Sequence, residues 1–589
     1  MSAEKLITDH IDIWTSAVQA KSSSGRGSGK KRELYGIKKL RELILELAVR
    51  GKLVPQDPSD EPASVLLERI AAEKAQLVKE KKIKKPKALS KVAEEAKPFN
   101  LPVGWDFERL DVISHKITDG EHISPAKLDT GVKLLSAKHI LDGGISLEEP
   151  QFVSHEDAEK FRLRCDPSIG DVLICSRGTI GRCCTVTINE YFCLMGSVIL
   201  VRPPTEIVSK YLSYFLKSPV GQVSIKDMTK GMAVNALYLK DIKNALIPVP
   251  PLNEQHRIVA KVDELMALCD QLEQQTEASL DAHQVLVETL LATLTNSQDA
   301  TELMANWARI SEHFDTLFTT EQSIDQLKQS ILQLAVMGKL VPQDPNDEPA
   351  AKLLQRIVEE KAQLVKEKKI KKQKALPPIA EDEKPFELPD GWEWCRFEHI
   401  AKNEANALKA GPFGSALKKS MYVDHGFKIY GQEQVISGDE NIGDYFVNEE
   451  KYLSLESCKV QEGDILISLV GTIGKVLILS GNAQAGIINP RLVKISLFDD
   501  ICRHYIRIVL GSKLIQDELF ESSHGSTMNV LNLGLLKKIM LPLPPVAEQL
   551  EIVMKVNTLG CLCDQLKQRL RDSQQTQLHL TDAIVEQAL

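Results

Sequence analysis

The sequence predicts an α+β protein in which two mixed α/β domains are separated by long antiparallel coiled-coil helices, arranged as a pseudo-two-fold internal repeat. Three observations predict this. First, GKLVPQDPSDEPASVLLERIAAEKAQLVKEKKIKKPKAL, from Gly51 to Leu89, returns from Gly338 to Leu376 with no gap and only seven differences in 39 positions. Second, Leu237–Leu272 is echoed by Leu531–Leu566, including Pro248/Pro542, Pro250-Pro251/Pro544-Pro545 and Glu254-Gln255/Glu548-Gln549. Third, Ile258, Val262, Leu265, Cys269 and Leu272 are spaced 4-3-4-3 after the prolines. Ile552, Val556, Leu559, Cys563, Leu566 and Leu570 repeat the spacing, with Leu580 and Ile584 in phase. That is a coiled-coil seam, and two such seams are buried if they pair antiparallel.

Taken in order, residues 1–35 are an N-terminal segment with a flexible Gly/Ser linker, SSSGRGSGKKR at 22–32. It only brushes a phosphate-binding loop: Ser24 stands where the first glycine is needed, and Lys31 where Ser or Thr is. Residues 36–96 are the first helical frame. Leu40, Leu43, Ile44, Leu47 and Ala48 form a stripe that stops at Gly51, and Leu327, Ile331, Leu334 and Ala335 repeat it before Gly338. The turn VPQDPSDEP leads to a charged helix over about 62–85. Its KEKKIKK tail reads either as a phosphate-facing patch or as a solvated helix end.

Residues 97–250 are the first variable domain, opened by LPVGWDFERL, with Trp105 as a core anchor. Strands are expected at Val172–Cys175 and Ser197–Arg202, and a helix at Lys210–Leu216. A long helix over 251–295 follows Pro250-Pro251, where missing donors do no harm. The second half repeats the plan with a frame at 296–383, a variable domain at 384–545 and a C-terminal helix at 546–589. That second domain opens with LPDGWEWCRF, with strands at Asp464–Leu469 and Lys475–Leu479 and a helix at Ile501–Leu510.

The 589 residues carry 73 Lys+Arg and 81 Asp+Glu, a net charge of −8, with 43% hydrophobic and 26% charged residues. This excludes wholesale disorder and does not announce a nucleic-acid binder, whose usual sign is a basic excess. The variable domains are flat: 18 basic against 18 acidic residues in 97–250, and 17 against 20 in 384–545. No apolar run is long enough to span a membrane, and MSAEKLITDHIDIW is not a signal peptide. Eleven cysteines without a CxxC pair fit reduced thiols, so a cytoplasmic location is expected.

Both variable domains end in Gly-x-x-x-Asn-x-Leu-x-Leu, at Gly231, Asn235, Leu237, Leu239 and Gly525, Asn529, Leu531, Leu533. The polar runs DMTKG and SSHGST precede these endings. One reading is a loop whose amides and hydroxyls meet phosphates or base edges; the other is ordinary turn chemistry before a strand. Catalytic motifs are missing. No GxGxxG follows a strand, no Asn-Pro-Pro-aromatic pocket for amino methylation occurs, and Asn489-Pro490-Arg491 fails that pattern. Glu80-Lys81-Lys82 is explained by its lysine-rich helix. The sequence therefore predicts no catalytic, cofactor-binding or metal-binding residue and no enzyme.

The order variable block, PxPPxxEQxxI, long helix, given twice at Ile247–Ile258 and Leu541–Ile552, resembles the specificity subunits of type I restriction-modification enzymes. LPVGW and LPDGW, the GTIG turns at 178–181 and 471–474 and the Asn-x-Leu-x-Leu endings also match. The duplicated GKLVPQDPxDEPA frame looks most like the IB, EcoAI-like, branch. The resemblance implies that each variable block is a target recognition domain reading one half of a bipartite, asymmetric double-stranded DNA target. The helices would dock two modification (methyltransferase) subunits and, through them, restriction (translocase/nuclease) subunits. Adenine methylation and ATP-dependent restriction would belong to those chains, which would bind S-adenosylmethionine, ATP and Mg²⁺. Candidate DNA contacts are Arg177, Thr179, Lys230, Asn235, Thr472, Lys475, Ser526 and Asn529. Candidate docking residues are Glu254, Gln255, Ile258, Glu548, Gln549 and Ile552. The rival expectation is a two-headed coiled-coil adaptor that binds only proteins.

Overall fold

The computed structural model describes residues 3–21, 31–81, 83, 92, 95, 97–123, 128–229, 235–370, 377–469, 475–521 and 533–589. The chain forms two compact units, residues 1–279 with 573–589, and residues 280–572. The helices that matter in the first are α1 (Tyr35–Val49), α2 (Ala63–Lys79), α3 (Ser209–Lys217) and most of α4 (Leu252–Asn296). The second holds α5 (Ala300–Glu312), α6 (Glu321–Val336), α7 (Ala350–Lys366), α8 (Arg503–Gly511) and most of α9 (Val546–Ala588). No helix among the described residues is long and apolar enough to cross a membrane.

The apolar stripe of α1 is buried, and the chain turns at Gly51 with φ +69°. A Cβ there would lie 2.4 Å from Pro102 Cγ; Gly338 has the same φ and would meet Pro389 Cγ at 2.4 Å. Only glycine tolerates both conditions. Helices α2 and α7 bury Ala63, Leu66, Ile70 and Ala350, Leu353, Ile357. Their first amides donate to the carbonyls of Gly104 and Gly391, both at 2.8 Å. The helix expected to reach about 85 ends at Lys79 instead, because the chain becomes left-handed at Lys81, as it does at Lys368. Most of the lysine tail beyond lies outside the described residues.

Helix α4 has 45 residues and α9 has 43. In the second unit Lys328, Asp325 and Glu321 of α6 pair with Asp564, Lys567 and Arg571 of α9, so these helices run antiparallel. Gln326 bonds to Glu288 at 2.8 Å and Lys339 to the carbonyls of Thr295 and Ser297, so α6 runs parallel to the end of α4. The end of α4 and the start of α9 are therefore antiparallel, as the seams predict. The first unit repeats the pattern. Arg41 pairs with Asp270 and Glu273, Tyr35 donates to Asp582 at 2.8 Å, and Lys52 reaches the Leu589 carbonyl. The seam residues Ile258, Val262, Leu265, Cys269, Ile552 and Cys563 are buried. Leu580, expected in phase, is 45% exposed, and Thr581 takes its place at 0%. Ile584, the next expected position, is buried at 7%, so the heptad slips at Leu580 and is recovered one turn later.

The two variable domains share nine strands in the same order among the described residues, and the first adds a short two-stranded sheet, Ile140–Leu141 with Gly144–Ile145. In the first they are β1 (Asp106–Arg109), β2 (Lys116–Asp119), β3 (Val132–Leu135), β4 (Gln151–Val153), β5 (Val172–Cys175), β6 (Cys183–Thr185), β7 (Phe192–Leu194), β8 (Val198–Arg202) and β9 (Leu246–Val249). In the second they are β10 (Glu393–Arg396), β11 (Leu408–Ala410), β12 (Phe427–Tyr430), β13 (Phe446–Val447), β14 (Ile465–Ser468), β15 (Val476–Ile478), β16 (Gly486–Ile488), β17 (Leu492–Ile495) and β18 (Met540–Leu543). One sheet has the order β6-β5-β8-β2, matched by β15-β14-β17-β11. A second is β7-β3-β4, matched by β16-β12-β13, with β3 parallel to β7 and β12 parallel to β16. A two-stranded sheet, β1-β9 or β10-β18, joins each domain to its long helix.

That joint is a buried polar clamp. Trp105 Nε1 donates to Glu254 Oε2 at 2.9 Å and Gln56 Nε2 to Glu254 Oε1 at 2.8 Å. Trp392 and Gln343 do the same for Glu548 at 2.8 and 3.2 Å. Gln255 accepts from Val208 N and donates to the Pro250 carbonyl; Gln549 accepts from Cys502 N and donates to that of Pro544. Edge-on to each indole stands a tyrosine, Tyr211 of α3 or Tyr505 of α8, whose hydroxyl donates to Pro248 or Pro542 at 2.8 Å. Glu254, Gln255, Ile258, Glu548, Gln549 and Ile552 are all 2% exposed or less. The expectation that these six dock a partner is therefore corrected: their polar atoms are used inside the chain, and no surface is left to dock on.

The copies differ in one electrostatic respect. Asp60 pairs with Arg257 at 2.7 Å and accepts from Asn253. Glu551 and Ala547 stand at the matching positions, so Asp347 has neither partner. Burial, and then Asp347 and Glu551, push the Glu548 carboxyl above its usual range.

Two outcomes are expected. Trp105→Phe or Trp392→Phe keeps the ring and removes the donor, leaving a buried carboxylate oxygen bare at a cost of about 1–3 kcal/mol. Thermal melting should fall by several degrees in each variant, and no loss would refute the clamp. Glu551→Arg supplies the missing partner of Asp347 and should stabilise the chain by about 0.2–1 kcal/mol at neutral pH. The gain is coulombic, so it should shrink as salt screens the pair, and melting curves at low and high salt check it.

Candidate nucleic-acid interface

In the first domain the ends of β2, β3, β5 and β7 and the start of β8 meet at one edge. The turns that follow are packed on one another. The amide of Gly120 bonds to Val198 O and that of Glu121 to Leu194 O; Gly196 N bonds back to Glu121 O at 2.7 Å. Ser176 N bonds to Ser197 O, and Leu237 N donates to Ser176 O at 2.9 Å. The last bond seats the Asn-x-Leu-x-Leu ending beside the Gly178-Thr179 turn. Three expected contacts, Arg177, Thr179 and Asn235, are thereby brought to one edge, and all three are exposed. Gly178 and Gly181, at φ +71° and +85°, shape that turn. Burial pushes the Cys175 thiol beneath it above its usual range, against a hydrogen bond with Thr179. Lys230 lies outside the described residues.

The second domain builds the same edge from β11, β12, β14, β16 and β17. Gly411 N bonds to Leu492 O, Asn489 N to Tyr430 O and Leu469 N to Arg491 O. Asn489, which failed the methylation pattern, accepts from Arg491 N at 2.8 Å and so shapes a turn. Lys475 is exposed at this edge, and so is Arg491. Thr472, Ser526 and Asn529 lie outside the described residues.

Charge here is local. Elsewhere in the first domain cations are neutralised, as Lys116 and Arg202 are by Asp166 and Asp171 and Lys133 by Glu190, while at the edge itself Asp119, the last residue of β2, pairs with Arg164 and His122. Among the described residues no carboxylate is in salt-bridge reach of Arg177, Lys475 or Arg491; the Arg491 guanidinium donates to the Gln432 side chain, at 3.3 Å. Unpaired cations beside exposed amides and hydroxyls suit phosphates and base edges. Arg491 was missed in the sequence because no motif surrounds it. Gly120 and Gly411 were missed because their contacts lie far away in sequence: a Cβ would fall 2.1 Å from Leu194 O and 1.9 Å from Asn489 O. Among the described residues no group of three or more His, Cys, Asp or Glu side chains is placed to hold a metal.

Comparison with known proteins gives this edge a family. Residues 125–282 and 414–573 match the type I restriction modification DNA specificity domain. The EcoAI specificity subunit of Escherichia coli is 44% identical over the full length of both chains. The EcoEI specificity subunit of the same species is 43% identical, also over both full lengths. The HsdS subunit of Thermoanaerobacter tengcongensis aligns with 83% of this chain and 98% of its own at 18% identity and a TM-score of 0.38. Two matched domains, each ending in the clamp helix and covering together more than half the chain, leave one conclusion: this protein belongs to the specificity subunits of type I restriction-modification systems, in the EcoAI-like branch, and its part is recognition rather than catalysis.

Proposed function

We propose that the two variable domains are separate readers, each taking one half of a bipartite, asymmetric double-stranded DNA target, and that the frames dock two modification subunits. Methylation of adenine and ATP-dependent restriction then belong to partner chains, which carry S-adenosylmethionine, ATP and Mg²⁺. One observation carries this reading. The same nine-strand order and the same clamp appear twice, yet the exposed edge residues differ: Arg177, Thr179 and Asn235 in one domain, Lys475 and Arg491 in the other. Repeated frames suit two copies of one partner, and different edges suit two different half-sites. Because the clamp residues are buried, docking falls to the exposed faces of α4 and α9.

Exchanging residues 97–250 for the matching block of a relative tests this directly. Methylation mapping of the assembled enzyme should show one half-site changed and the other kept; a change in both would sink the reading. Arg177→Ala should weaken DNA binding by the assembled enzyme roughly 5- to 150-fold if Arg177 reads a base. If it holds a phosphate, the loss should instead be uniform across sequences and the salt slope should fall by about one. The chain without partners should bind weakly in physiological salt, because a net charge of −8 releases few counterions. Nanomolar binding by the isolated chain would contradict that.

A further inference from the structure

We infer that Phe413 in the second domain and Ile123 in the first are base-contacting residues that read a thymine by its methyl group, an inference that rests on the DNA-reading function proposed above. Phe413 is 76% exposed and Ile123 is 71% exposed. Both follow the first strand of the four-stranded sheet, three residues after the end of β11 and four after the end of β2. Neither is a loose side chain on a loose loop. The Phe413 segment is tied by Gly411 N to Leu492 O at 2.9 Å and by Ala416 N to Phe413 O at 3.2 Å. Pro412, itself buried, fixes φ between them. The Ile123 segment is tied by Gly120 N to Val198 O, and by the amides of His122 and Ile123, which both donate to Glu121 Oε1 at 2.8 and 3.0 Å.

The glycines make the tie tight. With a Cβ about 2 Å from a carbonyl oxygen, neither Gly120 nor Gly411 could carry a side chain without moving the tip. The backbone is therefore fixed and an apolar group is held in water, without the burial that normally offsets the cost of exposing it. Beside each tip the neighbours are polar: Arg491 and Gln432 at the same edge in one domain, and Glu121 and His122, the residues just before Ile123, in the other. A side chain with no donor or acceptor cannot read a hydrogen-bonding edge. In the major groove the only apolar feature is the C5 methyl of thymine. The different shapes, a flat ring and a branched alkyl, fit the two domains' having different half-sites.

The test uses the assembled methyltransferase complex and a duplex carrying the site that its methylation map defines. Phe413→Ala should weaken binding roughly 5- to 150-fold, the range that follows loss of one base contact, and should relax the second domain's half-site alone. Ile123→Ala should do so for the first. Replacing the contacted thymine by deoxyuridine should cost the unaltered enzyme a similar factor and cost the alanine variant nothing more. Thermal melting should not change, since both side chains are exposed. Undiminished binding by Phe413→Ala overturns the inference, as does a half-site without an A·T pair. A loss that persists in full on the deoxyuridine duplex also overturns it, pointing instead to a wedge between base steps. If domain exchange still moves the half-sites while Phe413→Ala does nothing, only this inference falls. If domain exchange fails to move them, the DNA-reading assignment falls first.

Discussion

Everything the edge loops can do depends on one buried contact made twice, an indole N–H on a glutamate in the first turn of a long helix. A carboxylate taken out of water is costly unless its lone pairs are met. Here each Glu receives the Trp and a Gln of the frame turn, and it sits where a helix N-terminus favours negative charge. The neighbouring Gln255 or Gln549 satisfies the backbone of the helix entry and of the variable domain together. The contact therefore joins three parts at one point: frame turn, variable domain and long helix. Moving any of them strands a buried polar group, so the domain keeps a fixed attitude on its helix while its far edge is free to vary.

That separation explains how two dissimilar domains share one strand order. The core positions of β5 and β14, or β8 and β17, need only be apolar and of suitable size. The edge is under a different constraint. Its turns bond to one another through backbone groups, which any sequence supplies, with glycine required only where a strand end presses on a carbonyl. Side chains at the edge are thus nearly free of folding duties, and Arg177, Asn235, Phe413 and Arg491 can be chosen for what they meet outside.

Much of this was legible in the residues. The 4-3-4-3 spacing gave both long helices, and β-branched runs gave β5, β8, β14 and β15 to within a residue at either end. Trp105 and Trp392 are the anchors their position suggested, at 8% and 5% exposure. The Glu-Gln pair was noticed for the right reason, its repetition, and given the wrong task. A repeated polar pair on a helix reads as a docking surface until burial shows it facing inward. Its tyrosine partners were invisible because Tyr211 and Tyr505 lie in stretches, KYLSYFL and HYIRIVL, that share little else. Leu580 departs from the heptad only locally, since Ile584, four residues on, is buried where the spacing places it. The edge was half legible: the turn motifs located Arg177, Thr179 and Asn235. Flat charge totals hid that their neighbourhood is locally unpaired, because pairing depends on contacts such as Arg164 with Asp119, 45 residues apart.

The two frames also show how far duplication constrains chemistry. Thirty-nine residues of frame are nearly unchanged, and the helices against them keep the seam and the clamp. Yet where Asp60 meets Arg257, Asp347 meets a helix carrying Glu551, and the Glu548 carboxyl, raised chiefly by its burial, is pushed further the same way by both. Packing and hydrogen bonding were held in both copies because each is needed to seat a domain. The ion pair was not, because a partly exposed pair is worth only about 0–1 kcal/mol and its loss is tolerated. Any partner that docks on both frames therefore meets the same shape twice with different charge. Its two attachments should share geometry and differ in their response to salt, since screening acts on the charges and leaves the apolar and hydrogen-bonded contacts nearly untouched.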